Sequence, residues 1–163
     1  MIRGPRLLAL LVVAACASGG RTSSSATFQR DIGIASEPDA IAIAERIIQR
    51  YQYEVIRTDP VPNLRYETDW KKRVPFGDEH ALGITEAENR LIITGRLRNT
   101  TDLGANYDLN LTVENRVRVA GSLDWNEGTA SPLFRRYADE ITEEFRKELQ
   151  VIGVRRYDTP AGS

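Results

Sequence analysis

The chain switches between two hydrophobic periods, and the switches mark its elements. Ile41, Ala44, Ile48 and Tyr51 recur at helical spacing with Ile47 beside them, while Glu45, Arg46, Gln49 and Arg50 fill the other side. Ser36 is a good N-cap, Asp39 three residues on makes an acidic variant of the capping box, and Pro38 sits in the first turn, where a missing N–H costs nothing. A helix with one buried face is therefore expected from Ser36. Beyond it the period becomes two. Residues 53–57 read as a strand and 58–63 as a turn; then Leu64, Tyr66, Thr68 and Trp70 alternate with Arg65, Glu67, Asp69 and Lys71 as a half-exposed strand, its apolar parity placing Trp70 in the core. Residues 74–89 lack a period and read as a loop, with room for a short strand at 82–85. Two long strands follow, 90–99 and 107–119, joined by a connection containing Gly104.

A hairpin whose partners sum to about 206 sets Leu97 against Leu109, Gly95 against Leu111 and Ile93 against Val113 on one side, and Arg98 against Asp108 and Arg96 against Asn110 on the other. A one-residue slip would throw the apolar set to the wrong face. Gly95 on the apolar side suggests close approach of a helix, and Asn115 interrupts the apolar parity, as a bulge, bend or turn would. The last element is a helix capped by Ser131, with Pro132 first and a stripe of Phe134, Tyr137, Ala138, Ile141, Phe145 and Leu149. Gly153 marks its end, and residues 154–157 then read as an edge segment. The order is α-β-β-β-β-α. An α+β two-layer sandwich follows, with an antiparallel sheet of about four strands and both helices on one face.

The amino terminus adds an address. Arg3 and Arg6 precede an apolar run of about nine residues, less than half the roughly twenty a membrane span needs, and small residues follow, as in a cleavable export signal. Val13-Ala14-Ala15-Cys16 resembles the lipobox of bacterial lipoproteins. That resemblance implies cleavage before Cys16, acylation of its sulfur and amine, and transfer of the lipidated chain to an outer membrane facing the periplasm. Two or three acyl chains suffice for stable anchoring. The competing reading is an ordinary signal cut at Ala15-Cys16-Ala17, which would release the chain. Cys16 is the only cysteine, so no internal disulfide can use it, and lipidation accounts for its presence in an exported chain. The expected organisation is a signal peptide over 1–15, a lipidated cysteine and Gly/Ser-rich tether over 16–35, one domain over 36–157, and a tail over 158–163.

Loss of Arg3 and Arg6 leaves 20 basic against 23 acidic side chains, with no basic excess to suggest nucleic acid. His80 is the only histidine, so neither a two-histidine metal site nor a cysteine–histidine nucleophile can be assembled. Glu67 and Asp69 imitate a carboxylate pair, but flanking Arg65 and Lys71 make a solvated charge ladder the simpler account. No cofactor is expected. Lys71-Lys72-Arg73 is a short basic cluster at a strand end, where solvation is the simpler account and contact with anionic head groups the alternative. The polar face of the sheet, with Arg65, Glu67, Asp69, Arg96 and Arg98, extended by Arg116 and Arg118, has no covering element in the sequence: facing water is the default reading, and it is the candidate partner surface. Together these features point to a membrane-anchored envelope lipoprotein with a non-enzymatic binding or assembly domain. Its partners would be the lipid bilayer, through acylated Cys16, and an envelope protein. In general plan it resembles the small lipoproteins of outer-membrane assembly, including the lipopolysaccharide-assembly lipoprotein. The alternative is a lipid- or small-molecule-binding domain with Tyr53, Tyr66 or Trp125 lining a cleft between helices and sheet.

Overall fold

The computed structural model describes residues 27–59, 63–102 and 104–158. The lipobox-like Val13-Ala14-Ala15-Cys16 lies outside them. In chain order the elements are β1 (Thr27–Ser36), α1 (Glu37–Arg50), β2 (Val55–Asp59), β3 (Asn63–Thr68), β4 (Lys71–Arg73), α2 (Gly77–His80), β5 (Ile84–Thr101), β6 (Gly104–Val119), β7 (Asn126–Glu127) and α3 (Pro132–Asp158). The chain is an α+β protein. Among the described residues its antiparallel sheet has seven strands, in the order β1-β6-β5-β3-β2, with β4 also on β5 and β7 also on β6. More strands are present than the four expected.

The added strands have identifiable causes. Residues 27–35 were expected to be tether, yet β1 pairs with β6 from Thr27↔Glu114 to Ser36↔Asn106 and buries Phe28, Ile32 and Ala35. A register shift between Asp31 and Gly33 breaks its alternation, which hides the strand from a period-two reading. Of the expected loop, residues 84–89 are strand: Leu82 and Gly83 lie in a turn, and β5 runs from Ile84, which pairs with Val119. At the other end Gly153 lies inside α3, which continues through residues 154–157, so no edge segment forms there.

The β5–β6 hairpin explains its own register. Its tight turn pairs Thr101 with Gly104 and Asn99 with Asn106. Continued unchanged, that odd sum would set Leu97 against Asp108 and mismatch the faces. One extra residue, Arg98, shifts the register so that Leu97 meets Tyr107, Gly95 meets Leu109, Ile93 meets Leu111 and Leu91 meets Val113. The expected parity holds, but the partners move by two residues, and Arg96 rather than Arg98 stands opposite Asp108. The apolar face packs against Ala40, Ile43, Ala44, Ile47 and Ile48 of α1 and Phe134, Ala138, Ile141 and Phe145 of α3, so both helices share one core. A smaller cluster of Ile84, Ala87 and Val117 lies at the far end of the hairpin. Gly95 makes room for side chains rather than a helix: a Cβ there would meet Leu64 and Leu109 at 3.1 Å.

Both helices start where expected. Ser131 Oγ caps α3 by accepting the Phe134 N–H at 3.2 Å, whereas the Ser36 hydroxyl makes no capping bond to the α1 backbone and donates instead to Asp39 Oδ2 at 2.5 Å.

Candidate functional site

The face opposite α1 and α3 is polar, and among the described residues no helix packs on it. It carries the even-numbered side chains of β6, all half-exposed from Asp108 to Arg118. Oppositely charged residues pair along and across the strands. Arg65 Nη2 reaches Glu67 Oε2 at 2.8 Å, Arg90 bridges Glu67 at 2.6 Å and Glu114 at 2.7 Å, and Arg116 holds Glu88 at 2.5 Å. Arg118 meets Glu86 at 3.1 Å. The hydrogen bond from Arg65 is the chief reason that Glu67 titrates below the usual carboxylate range; partial desolvation opposes it and the Arg90 charge assists. Of the expected partner residues, Arg65 and Glu67 therefore belong to one lattice. Arg96 and Arg98 sit near the hairpin turn and share Asp108, at 3.8 and 3.1 Å, with the Arg96 side chain 86% exposed. Asp69 lies past the end of β3, where its Oδ1 accepts the Trp70 N–H at 2.7 Å. Glu67 and Asp69 thus engage different partners and form no acid–base pair.

Both tryptophans belong to this lattice. Strand β3 ends at Thr68, so the parity that predicted a core position for Trp70 stops two residues short. Its half-buried ring has the guanidinium carbons of Arg90 at 4.8 Å and Arg116 at 4.2 Å from its centroid. Trp125 takes Arg116 at 4.9 Å and Arg118 at 4.4 Å. Cations over aromatic faces are attracted by the ring quadrupole. The alternation Arg90, Trp70, Arg116, Trp125, Arg118 is a ladder built from two strands, β5 and β6, and two loops. A groove of about 430 Å³ runs beside it, lined by both tryptophans, Glu114, Asn126, Glu127 and Thr27.

Behind the ladder is a buried polar cluster that periodicity does not reveal. Glu79 is 0% exposed and receives both terminal nitrogens of Arg73 at 2.6 Å. Its carboxylate also accepts the Phe76 N–H at 2.8 Å and Asn115 Nδ2 at 3.1 Å. Arg73 donates further to Asn89 Oδ1 and Asn115 Oδ1, both at 2.9 Å. Asn115 accordingly causes no bulge or turn; it keeps the inward parity and points an amide into the cluster. Two asparagines, Asn89 and Asn115, directly opposite each other at inward positions were the available sign. The basic run 71–73 is dispersed by the same contacts. Arg73 is in the cluster, Lys71 Nζ donates to Tyr51 O at the end of α1 at 2.5 Å, and Lys72 alone of the three is exposed.

Tyr53 and Tyr66 are core residues rather than cleft lining, and the Tyr53 and Tyr137 hydroxyls lie 3.0 Å apart. Burial pushes the Tyr53 phenol well above its ordinary value, so it stays neutral. His80 is exposed at the end of α2. Among the described residues no group of three or more His, Cys, Asp or Glu is placed to hold a metal ion.

Fold and site together define a two-layer α+β domain with an arginine–carboxylate sheet face and two inset tryptophans. No protein-family model, curated protein or solved structure matches the chain.

Proposed function

We propose that the chain is an envelope lipoprotein, anchored through acylated Cys16 to an outer membrane and facing the periplasm, whose domain is a non-enzymatic binding or assembly module. The observation that carries the binding role is the sheet face, where Trp70 and Trp125 are set among Arg90, Arg116 and Arg118. Tryptophan and arginine supply the energetic centres of protein interfaces. Here their side chains are already held in place by carboxylates, so less side-chain freedom is lost when a partner binds. The occupant that suits this face is a folded protein with its own mixed-charge surface, because most of the arginines are already matched by acids. A strongly anionic ligand would have to displace Glu67, Glu88 and Glu114. The exposed Arg96 and Arg98 form its rim near the hairpin turn.

Gentle solubilisation of membranes followed by crosslinking and mass spectrometry tests the reading. A stoichiometric envelope protein is expected with the wild-type chain, and Arg96→Glu with Arg98→Glu should reduce its capture several-fold without lowering the melting temperature. Unchanged capture removes the sheet face as the contact. A monomer carrying extracted lipid instead favours the small-molecule or lipid-binding reading, for which Trp125 is the remaining lining residue.

A further inference from the structure

One end of the domain carries the three most exposed large apolar side chains among the described residues. Where β5 begins and β6 ends, Ile84 pairs with Val119 and the Ala120 N–H donates to Gly83 O at 3.1 Å, which brings the turns around residues 82 and 121 together. Leu123 is 89% exposed there, Val74 79% and Leu82 62%, with Val119 and Leu133 partly uncovered. Leu133 joins this end through Asp78, whose carboxylate accepts its N–H at 3.0 Å. Trp125 and Val74 share a groove of about 550 Å³ with exposed Lys72 and His80 at its border. Contiguous exposed apolar side chains rimmed by polar ones mark an interaction site. At the opposite end of the hairpin, the turn beside Thr101 and Gly104 is flanked by Asn99, Thr100 and Asp102, and the apolar side chains exposed there, Ile34 at 51% and Leu97 at 42%, are less uncovered than Leu123, Val74 and Leu82.

The chain enters the described domain from the apolar end. Thr27 opens β1 opposite Glu114, five residues before Val119, and β1 then runs away from that end as its partners fall from Glu114 to Asn106. Ten residues, 17–26, separate Thr27 from Cys16. A Gly/Ser-rich segment of that length spans on the order of 17 Å on average and reaches at most about 35 Å. The occupant this placement selects is the bilayer that holds the anchor. Leucine, valine and tryptophan settle at the boundary of head groups and acyl chains, and lysine keeps its charge among the head groups while its stem lies on apolar surface.

We infer that the end of the domain formed by Val74, Leu82, Val119 and Leu123, with Trp125 at its border toward the sheet face, inserts into the phospholipid interface beside the anchor, orienting the β5–β6 hairpin away from the membrane. This rests on the lipid-anchor reading of Cys16. Full chains processed in cells and reconstituted into phosphatidylethanolamine–phosphatidylglycerol vesicles with brominated acyl chains provide the test. Leu123→Cys and Thr100→Cys variants carry an environment-sensitive dye on the new thiol, with the wild-type chain treated identically. The inference expects an unlabelled wild type and at least twofold greater quenching by brominated lipid at position 123 than at 100. An unlabelled wild type with equal, weak quenching at both positions overturns the inference and leaves the anchor standing. Dye on the wild-type chain shows a free Cys16 thiol and removes the anchor and the inference together. Shielding of the 123 dye from aqueous iodide without lipid quenching assigns this end to a protein and also overturns the inference. A Trp70→Phe chain, in which Trp125 is the sole tryptophan, repeats the measurement without any introduced thiol; unquenched Trp125 counts against the inference.

Discussion

At the scale of single residues, the interior is most exposed to damage where it is polar. Glu79 compensates Arg73 and also the Phe76 N–H and the Asn115 amide, so removing its carboxylate leaves one guanidinium without a charge partner. Breaking a buried ion pair from one side costs about 3–5 kcal/mol. Glu79→Ala is expected to lose stability of that order in urea unfolding, whereas replacing an exposed ion-pair partner such as Glu140 should cost under about 1 kcal/mol. Equal losses for the two variants would disprove a special role for the cluster. Gly128 supplies a second case. A Cβ at this position would stand 2.4 Å from Asn115 Nδ2 and 2.9 Å from its Cγ, so Gly128→Ala should destabilise by about 1–3 kcal/mol through overpacking. Shortening Asn115 to Ser in the same chain should recover part of the loss, read as a coupling in a double-mutant cycle. None of this was legible from periodicity, because a hydrophobic pattern registers Asn115 only as an interruption. What the interruption means depends on Arg73 and Glu79, which are remote in sequence and meet it only after the sheet has formed.

At the scale of elements, legibility followed regularity. The helix starts at Ser36 and Ser131 and the faces of β5 and β6 were readable because each keeps one period over several turns or residue pairs. Strand β1 was missed because the shift after Asp31 places Ile32 and Ala35 at odd spacing, and because it follows a Ser-rich run that suggested continued tether. The helix past Gly153 was missed because glycine was read as a stop, although α3 carries it in its interior. Treating β1 as a core strand has a measurable consequence. Ile32 is buried, so Ile32→Ala should cost about 2–5 kcal/mol, against little change if residues 27–35 were tether. Between helices, Glu148 of α3 is hydrogen-bonded to Arg50 at 2.8 Å and also pairs with Arg46, and these arginines hold its carboxyl below the ordinary value of 4.5. A depressed carboxylate contributes stability that is complete above its unfolded value and disappears as pH falls through its folded one. Thermal melts should therefore show acid destabilisation beginning near pH 4.5, and Glu148→Gln should flatten that limb while mainly lowering stability at pH 7. An unchanged acid limb would exclude this pair from the linkage.

At the scale of the whole molecule, the proposed address and the described fold occupy different parts of the chain. The expected anchor is read at residues 13–16, whereas the described helices and strands that build the core run from Thr27. Among the described residues no helix is long and apolar enough to cross a membrane, so their hydrophobic pattern neither supplies nor replaces the proposed anchor. The two can therefore be separated by one atom. Cys16→Ser removes the sulfur that the acyl chain requires while leaving the core residues from Phe28 to Phe145 intact. Two acyl chains bind almost permanently and a chain lacking them does not, so the variant should leave the membrane fraction for the soluble one in cell fractionation. Its purified domain should melt within about 0.5 kcal/mol of wild type if the segment before Thr27 contributes nothing to the fold. Retention of Cys16→Ser at the membrane would place the attachment on the domain itself, at its apolar end or sheet face. A large loss of stability would show that the segment before β1 contributes to the fold. Only release with an unchanged melt supports a lipid anchor joined to an independently stable binding domain.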